Sequence, residues 1–240
     1  MSDYRLKHLG SGRGEIYDAR FLQNRTFFYW QFFEKPFLKD FFARLSREKS
    51  GPVLDFACGT GRITRILKQY FEKVVGVDVS PDMLSQARKA LLGVDFINVD
   101  LTKEENEIGQ FELITAFRFF LNAQPELRRQ SLEAFSRHLK PGGFLVLNNH
   151  LRASSIAGKL IKFGRKTGLT GRNCLEDAEL EDLLRQHGFR VEKVFAFCLI
   201  PGFHRFPPVN AKLWLRLERV LWRFEGLRKY AEQEIMLCRK

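Results

Sequence analysis

A mostly parallel α/β sandwich is the fold this sequence predicts: a seven-stranded sheet with helices on both faces, three layers in all. Two observations predict it. Between residues 52 and 150, apolar runs of strand length alternate with amphipathic helical runs, and such alternation builds parallel sheets covered by helices. Within it, Val53-Leu54-Asp55-Phe56-Ala57-Cys58-Gly59-Thr60-Gly61-Arg62 joins a short strand to a helix through a glycine turn. Glycine carries no Cβ to collide with a bound nucleoside, and the turn aims helix N-terminal N–H groups into the crevice.

The strand candidates are 52–56, 73–78, 94–99, 111–117 and 143–149, with helices at 61–71, 81–91 and 125–139 between them. Ser80 followed by Pro81 is a helix start, a capping hydroxyl and then proline at the first helical position. Pro141-Gly142-Gly143 ends the helix that runs to about Leu139 and opens the next strand. Before this region, residues 1–50 hold an aromatic-rich stretch from Phe27 to Phe42 that reads as a helical cap broken near Pro36. After it, a helix at 176–187 ends at Gly188, and strands at 189–199 and 233–239 complete the sheet. The expected organisation is a cap (1–50), a sheet domain (51–200 and 233–240) and a helical insertion (201–232) opened by Pro201-Gly202 and Pro207-Pro208.

Composition narrows the class. The 240 residues are 45% hydrophobic, ordinary for a globular domain, and no apolar run approaches the roughly 20 residues needed to span a bilayer. The N-terminal residues carry no hydrophobic leader, so a cytoplasmic protein is expected, at most peripheral to the inner face of a membrane. Cys58, Cys174, Cys198 and Cys238 lie far apart without metal-ligand spacing and read as reduced thiols; no metal is expected. Net charge is +12, and residues 150–172 hold six basic groups and no acidic one. Such placement favours an anionic substrate or an anionic surface.

In a doubly wound sheet, ligands bind beyond the carboxyl ends of the strands. There the sequence places Asp55, Asp78, Asp100, Arg118 and His150. Asp78 is set to accept from ribose hydroxyls. Asp55 beside the glycine turn would repel a pyrophosphate but welcome an ammonium, and Thr64 holds the place of the third dinucleotide-type glycine.

Four segments in order, Leu-Asp-Phe-Ala-Cys-Gly-Thr-Gly-Arg, Gly-Val-Asp-Val-Ser-Pro-Asp-Met-Leu, Asn-Val-Asp-Leu and Leu-Lys-Pro-Gly-Gly, resemble the class I S-adenosylmethionine-dependent methyltransferases, in their small-molecule and lipid branch. The resemblance implies a Rossmann-like sheet in the order 3-2-1-4-5-7-6 and S-adenosylmethionine as cofactor. It implies that Asp55, Ala57 and the backbone of Gly59, Thr60 and Gly61 hold the methionine moiety. Asp78 would bind the ribose, Ser80 and Met83 would flank the adenosine, and Asp100 and Leu101 would meet the adenine. Phe117 would line the methyl-donor pocket, and Tyr17 resembles a tyrosine that closes over the cofactor in relatives.

For catalysis the candidate proton acceptor is His150, after the fifth strand, with strand capping or contact to Asn148-Asn149 as the alternative. Arg118 and Asn122 could hold an acidic or hydroxylated substrate, or make ordinary loop hydrogen bonds. The amino-methylation element Asn/Asp-Pro-Pro-Tyr is absent after the fourth strand, where Phe117-Arg118-Phe119-Phe120 stands. This favours an oxygen or carbon acceptor on a lipid-like, quinone-like, sugar-linked or anionic molecule. Residues 211–224 are amphipathic: Leu213, Trp214, Leu217, Val220, Leu221 and Phe224 form an apolar stripe beside Lys212, Arg216, Arg219 and Arg223. That helix is expected to pack as a lid, with contact to anionic lipid as the other option. RNA methylation and a non-catalytic cofactor-binding protein at a membrane surface are the competing functions; no oligomer signal is visible.

Overall fold

The computed structural model describes residues 4–5, 10, 12–23, 26–103, 108–168, 174–199 and 211–240. Pro201-Gly202 and Pro207-Pro208, singled out in the sequence, lie outside them, as do Arg172, the last of the six basic groups in 150–172, and the side chains of Lys212 and Trp214. One sheet contains β1 (Val53–Phe56), β2 (Val74–Asp78), β3 (Asp95–Asn98), β4 (Phe111–Ala116), β5 (Leu139–Asn149), β6 (Arg190–Phe197) and β7 (Gln233–Arg239). Their order is β3-β2-β1-β4-β5-β7-β6, the expected one. All pairings among β1 to β5 are parallel, and β7 runs antiparallel to both β5 and β6.

Alternation along the strands feeds two cores. On β5, Phe144 and Val146 point to one face and Leu145 and Leu147 to the other; on β7, Ile235 and Leu237 alternate with Met236 and Cys238. The first core receives α6 (Pro125–His138) and α8 (Asp177–Gln186) through Leu127, Phe135, Leu180 and Leu184. The second receives α2 (Thr26–Tyr29), the π-helical stretch Trp30–Glu34, α3 (Lys35–Glu48) and α4 (Thr64–Leu67) through Tyr29, Phe33, Phe42 and Ile66. Helix α1 (Arg13–Gln23) docks on α5 (Pro81–Ala90), where Asp82 accepts the Gly12 and Gly14 N–H groups at 3.2 and 2.6 Å. These are donors that the first turn of α1 leaves without partners of its own. The close approach has a steric condition, since a Cβ on Gly14 would lie 2.7 Å from Gln86 Cγ.

Several expected boundaries shift. Pro36 does not break the cap; it sits in the first turn of α3, where its missing N–H has no bond to lose, and the irregularity falls just before it as the π-helical stretch. Helix 61–71 shrinks to α4, with tight turns before and after it. Three of its residues, Ile63, Thr64 and Ile66, are β-branched and fit a long helix less well. Strand β5 begins at Leu139, which pairs with Phe111 before the register shifts ahead of the Phe144–Leu113 pair. The Pro-Gly-Gly segment is therefore an irregularity inside β5 rather than its start. An unexpected helix, α7 (Ile156–Lys166), follows β5, and α9 (Ala211–Leu221) and α10 (Glu225–Arg228) lie between β6 and β7.

Candidate functional site

The chain turns back across the sheet between β1 and β4, and a crevice opens there beyond the strand ends. It holds about 990 Å³ of space, its open mouth included. The segments after β1, β2, β3 and β4 all contribute walls, with Tyr4, Arg5 and Tyr17 from the N-terminal region closing one side.

Asp55 is the third residue of β1 and nearly inaccessible at 1% exposure. Thr64 Oγ1 donates to its Oδ2 at 2.5 Å and Thr115 Oγ1 to its Oδ1 at 2.8 Å. Burial pushes its carboxyl up to about 6, against the lowering effect of those two hydroxyls. The crevice thus contains a carboxylate poised to be stabilised by an incoming cation. Ala57 and Gly59 follow with φ of 53° and 55°, in the left-handed region. At Gly59 that conformation is cheap, and a Cβ there would meet nothing within 4 Å, so this turn can let a ligand approach the backbone. Gly59 N–H donates to Asp78 Oδ2 at 2.8 Å, and Ser80 N–H to Asp78 Oδ1 at 2.9 Å. Asp78 therefore clamps the glycine turn to the start of α5.

Eleven of the fifteen residues singled out for the site line the crevice: Tyr17, Asp55, Ala57, Gly59, Thr60, Asp78, Met83, Asp100, Leu101, Phe117 and Arg118 do so through β-strand ends and α1 or α5. Gly61, Ser80, Asn122 and His150 do not.

 Gly61 faces the α5 side, where a Cβ would lie 2.8 Å from Leu91 Cδ1. Ser80 is fully buried and caps α5, its Oγ accepting the Met83 N–H at 3.3 Å. Asn122 is exposed and gives its side-chain N–H to the Arg118 carbonyl at 2.7 Å, the loop-bond alternative. His150 is half-buried at the end of β5, away from the lining. Asp100, expected at the adenine, accepts from Arg5 Nη1 at 2.8 Å and from Thr102 Oγ1 at 2.6 Å.

Besides Arg5, two arginines line the crevice: Arg118, which the sequence singled out, and Arg62, which sequence reasoning missed. Arg118 has φ of 59°, a conformation rare for a residue with a side chain and concentrated at functional sites. Its backbone N–H donates to Asn148 Oδ1 at 2.6 Å, and its Nη2 to Glu34 Oε2 at 3.2 Å. Asn148 Nδ2 donates to Glu34 Oε1 at 3.2 Å, which closes the triangle. Arg62 stacks its guanidinium over Phe21 and Trp30, each 4.6 Å from the ring centre. Burial and the neighbouring Arg118 both push its pKa down. Among the described residues, Arg62 Nη1 and Arg118 Nε are buried without a hydrogen-bond partner. Buried donors of this kind are costly unless a ligand meets them. The signal for Arg62 lay in plain view, as the last residue of the glycine segment.

Residues 53–143 match the family model described as a methyltransferase domain. Over 111 residues the chain is 33% identical to trans-aconitate 2-methyltransferase of Azoarcus sp. (strain BH72), a match covering 45% of this chain and 43% of that protein. The match thus spans under half the length of that relative. Among solved structures, a SAM-dependent methyltransferase from Thermotoga maritima aligns over 94% of this chain and 95% of its own, with TM-score 0.63 and 18% identity. Magnesium protoporphyrin IX methyltransferase from Synechocystis PCC 6803, with bound S-adenosylhomocysteine, aligns over 86% and 83%, with TM-score 0.57 and 15% identity. These two likenesses concern the fold. The matched segment, which contains the glycine turn, Asp55, Asp78 and Asp100, is thus similar to a methyltransferase domain, and the sheet around it has the strand order that the resemblance to class I S-adenosylmethionine-dependent methyltransferases implies.

Proposed function

We propose that this protein transfers the methyl group of S-adenosylmethionine to an oxygen of a small carboxylate-bearing acceptor. The observation that carries the acceptor class is the pair of unmet buried donors, Arg62 Nη1 and Arg118 Nε, in the crevice lining. When bound, the cofactor supplies an electrophilic methyl on a sulfonium. The residues present fit it: Asp55 offers a carboxylate to its ammonium, Gly59 leaves open space beside the turn, and Asp78 stands at the end of β2 for the ribose. Met83, Val79 and Val99 give apolar wall for the adenine.

A carboxylate acceptor suits this crevice for a second reason. Its oxygen is already anionic at neutral pH, so no base has to remove a proton, and the described lining contains no histidine. Arg62 and Arg118 would orient it, since planar guanidinium groups match carboxylates geometrically. Positioning then supplies much of the acceleration.

Calorimetry tests the assignment with two probes, S-adenosylhomocysteine and 5′-methylthioadenosine, which lacks the amino-acid tail. Arg62→Met and Arg118→Met are expected to leave both affinities within about twofold and to remove turnover of carboxylate acceptors; each lost charged hydrogen bond is worth roughly 1.5–3 kcal/mol. If Arg62→Met weakens S-adenosylhomocysteine but not methylthioadenosine, the guanidinium serves the cofactor's own carboxylate and the acceptor assignment fails.

Asp55 adds a pH dependence. Its folded pKa of about 6 lies above the ordinary carboxyl value of 3.8, so the folded state holds a proton that the unfolded state releases between these limits. The stability it contributes is fully present below about pH 4 and is lost as pH rises through 6, on the order of 3 kcal/mol in all. Unliganded Asp55→Asn is therefore expected to melt above the parent protein at pH 7.5 and near it at pH 4. S-adenosylhomocysteine affinity of the parent should rise through pH 6 and that of Asp55→Asn should stay flat. A flat parent profile in calorimetry would remove the ammonium role.

A further inference from the structure

We infer that α7 and the α9–α10 segment form a docking face for an anionic phospholipid bilayer. The expected lid has its apolar stripe packed inward, and the structure leaves Leu213, Leu217, Val220 and Phe224 of that stripe exposed. Of thirteen large hydrophobic side chains described as exposed, eight lie on α7 or between 213 and 227. Clustering of this kind marks an interaction surface, whereas single exposed apolar residues do not.

The two helices repeat one arrangement. On α7, Ile156, Leu160 and Phe163 fall at i, i+4 and i+7, with Lys159, Lys162 and Lys166 on the adjoining flank at i, i+3 and i+7. On α9 and its continuation, Leu217, Val220 and Phe224 share one exposed strip, flanked by Arg216, Arg219 and Arg223 at i, i+3 and i+7. Leu160, Phe163 and Phe224 are 67%, 64% and 57% exposed. An apolar strip bordered by cations is the pattern of helices that lie in the headgroup region of a membrane.

Their inner faces are anchored, so the strips cannot simply turn inward. Gly158 brings α7 against Arg152 and Ala153 so closely that a Cβ would lie 2.1 Å from the Arg152 carbonyl oxygen. On α9, the only acidic residue, Glu218, is buried and accepts from Leu199 N–H at 2.5 Å and Trp222 Nε1 at 3.0 Å. Trp222 packs in turn against Phe33 and Phe197. Helix α7 borders the end of α10: Lys159 lies over the Tyr230 ring at 5.4 Å, and Arg152, just before α7, donates from Nη1 to the Arg228 carbonyl at 2.9 Å.

Charge selects the occupant. Helix α7 contains no acidic residue, and the acid of α9 is turned inward. Glu176, which pairs with Lys162, and Glu225, which pairs with Arg228, are the exposed acids at the border. A surface of apolar strips with a cationic margin complements lipid phosphates over acyl chains. No described helix is long and apolar enough to cross a membrane, so the contact is peripheral.

Co-sedimentation of the full chain with vesicles tests this, and it needs no cofactor, so its outcome is separate from the methyl-transfer proposal. The protein should bind vesicles of equimolar phosphatidylcholine and phosphatidylglycerol roughly tenfold more tightly than phosphatidylcholine alone, and added salt should weaken the binding. Leu160→Ser with Phe163→Ser, and separately Leu217→Ser with Phe224→Ser, should each weaken it roughly tenfold without changing the melting temperature. Arg216→Glu with Arg219→Glu should abolish the preference for the anionic vesicles. Absence of sedimentation, or equal binding to both compositions, overturns the proposal. So does a dimer in analytical ultracentrifugation that the serine substitutions dissociate without any vesicle binding. Tight binding of a single-stranded RNA oligonucleotide that the serine variants retain, with no vesicle binding, overturns it as well.

Discussion

Asp78→Ala is expected to weaken S-adenosylhomocysteine binding by about a hundredfold or more, read by calorimetry. The carboxylate takes the Gly59 N–H on one oxygen and the Ser80 N–H on the other, and hydrogen bonds to a charged group contribute roughly 1.5–3 kcal/mol each. Removing it releases the glycine turn and deletes the proposed ribose acceptor together, and about 1.4 kcal/mol is a tenfold change in affinity. Asp78→Asn separates the two roles only in part. Its amide would set a donor against one of the two backbone N–H groups, so it too should bind weakly. Unchanged affinity in Asp78→Ala, with an unchanged melting temperature, would remove Asp78 from the site.

The sheet was legible because its signals are local. Strands β1, β2 and β4 are short apolar runs, and burial on both faces leaves their sequences continuous rather than alternating. Ser80-Pro81 named the start of α5 because a cap and a first-turn proline act within one turn of helix. What escaped depends on distant partners. Helix α7 is a stretch of Ile, Leu, Lys and Phe whose outward strip is apolar, so its pattern alone could not tell which side faces the core. For α9 the same ambiguity favoured a packed lid, whereas Glu218 and Trp222 decide the inner face.

The site divides in the same way. The carboxylates at strand ends could be placed by register alone, and Asp55 and Asp78 do meet across the glycine turn in one crevice. Tyr4 and Arg5 could not, since their contacts span about a hundred residues of chain. His150 illustrates the opposite error: the end of a strand is a position on an edge, but the edge is longer than the crevice. Glu34 left one trace, a lone acid in the aromatic run from Phe27 to Phe37. A charge among rings is costly without a partner, and the partner, Arg118, lies 84 residues away.

Glu34→Leu is expected to destabilise the protein by about 3–5 kcal/mol, the usual cost of stripping one partner from a buried ion pair. Glu34 is 1% exposed and Arg118's side chain 17%, so water offers the orphaned guanidinium little relief. The loss is compounded by position. Arg62 already lies close enough to act on Arg118 as a like charge, and without Glu34 the two cations repel with no anion between them. Asn148 also loses the acceptor of its Nδ2 group and with it one tie on the Arg118 backbone. Urea titration should therefore show a lower midpoint with an unchanged slope. Adding Arg118→Leu should recover much of the loss, because removing both charges leaves an apolar pair rather than a stranded one. If the double variant is less stable than Glu34→Leu alone, the energetic weight of the triangle lies in its hydrogen bonds to Asn148, and the ion pair serves chiefly to orient Arg118 toward the crevice.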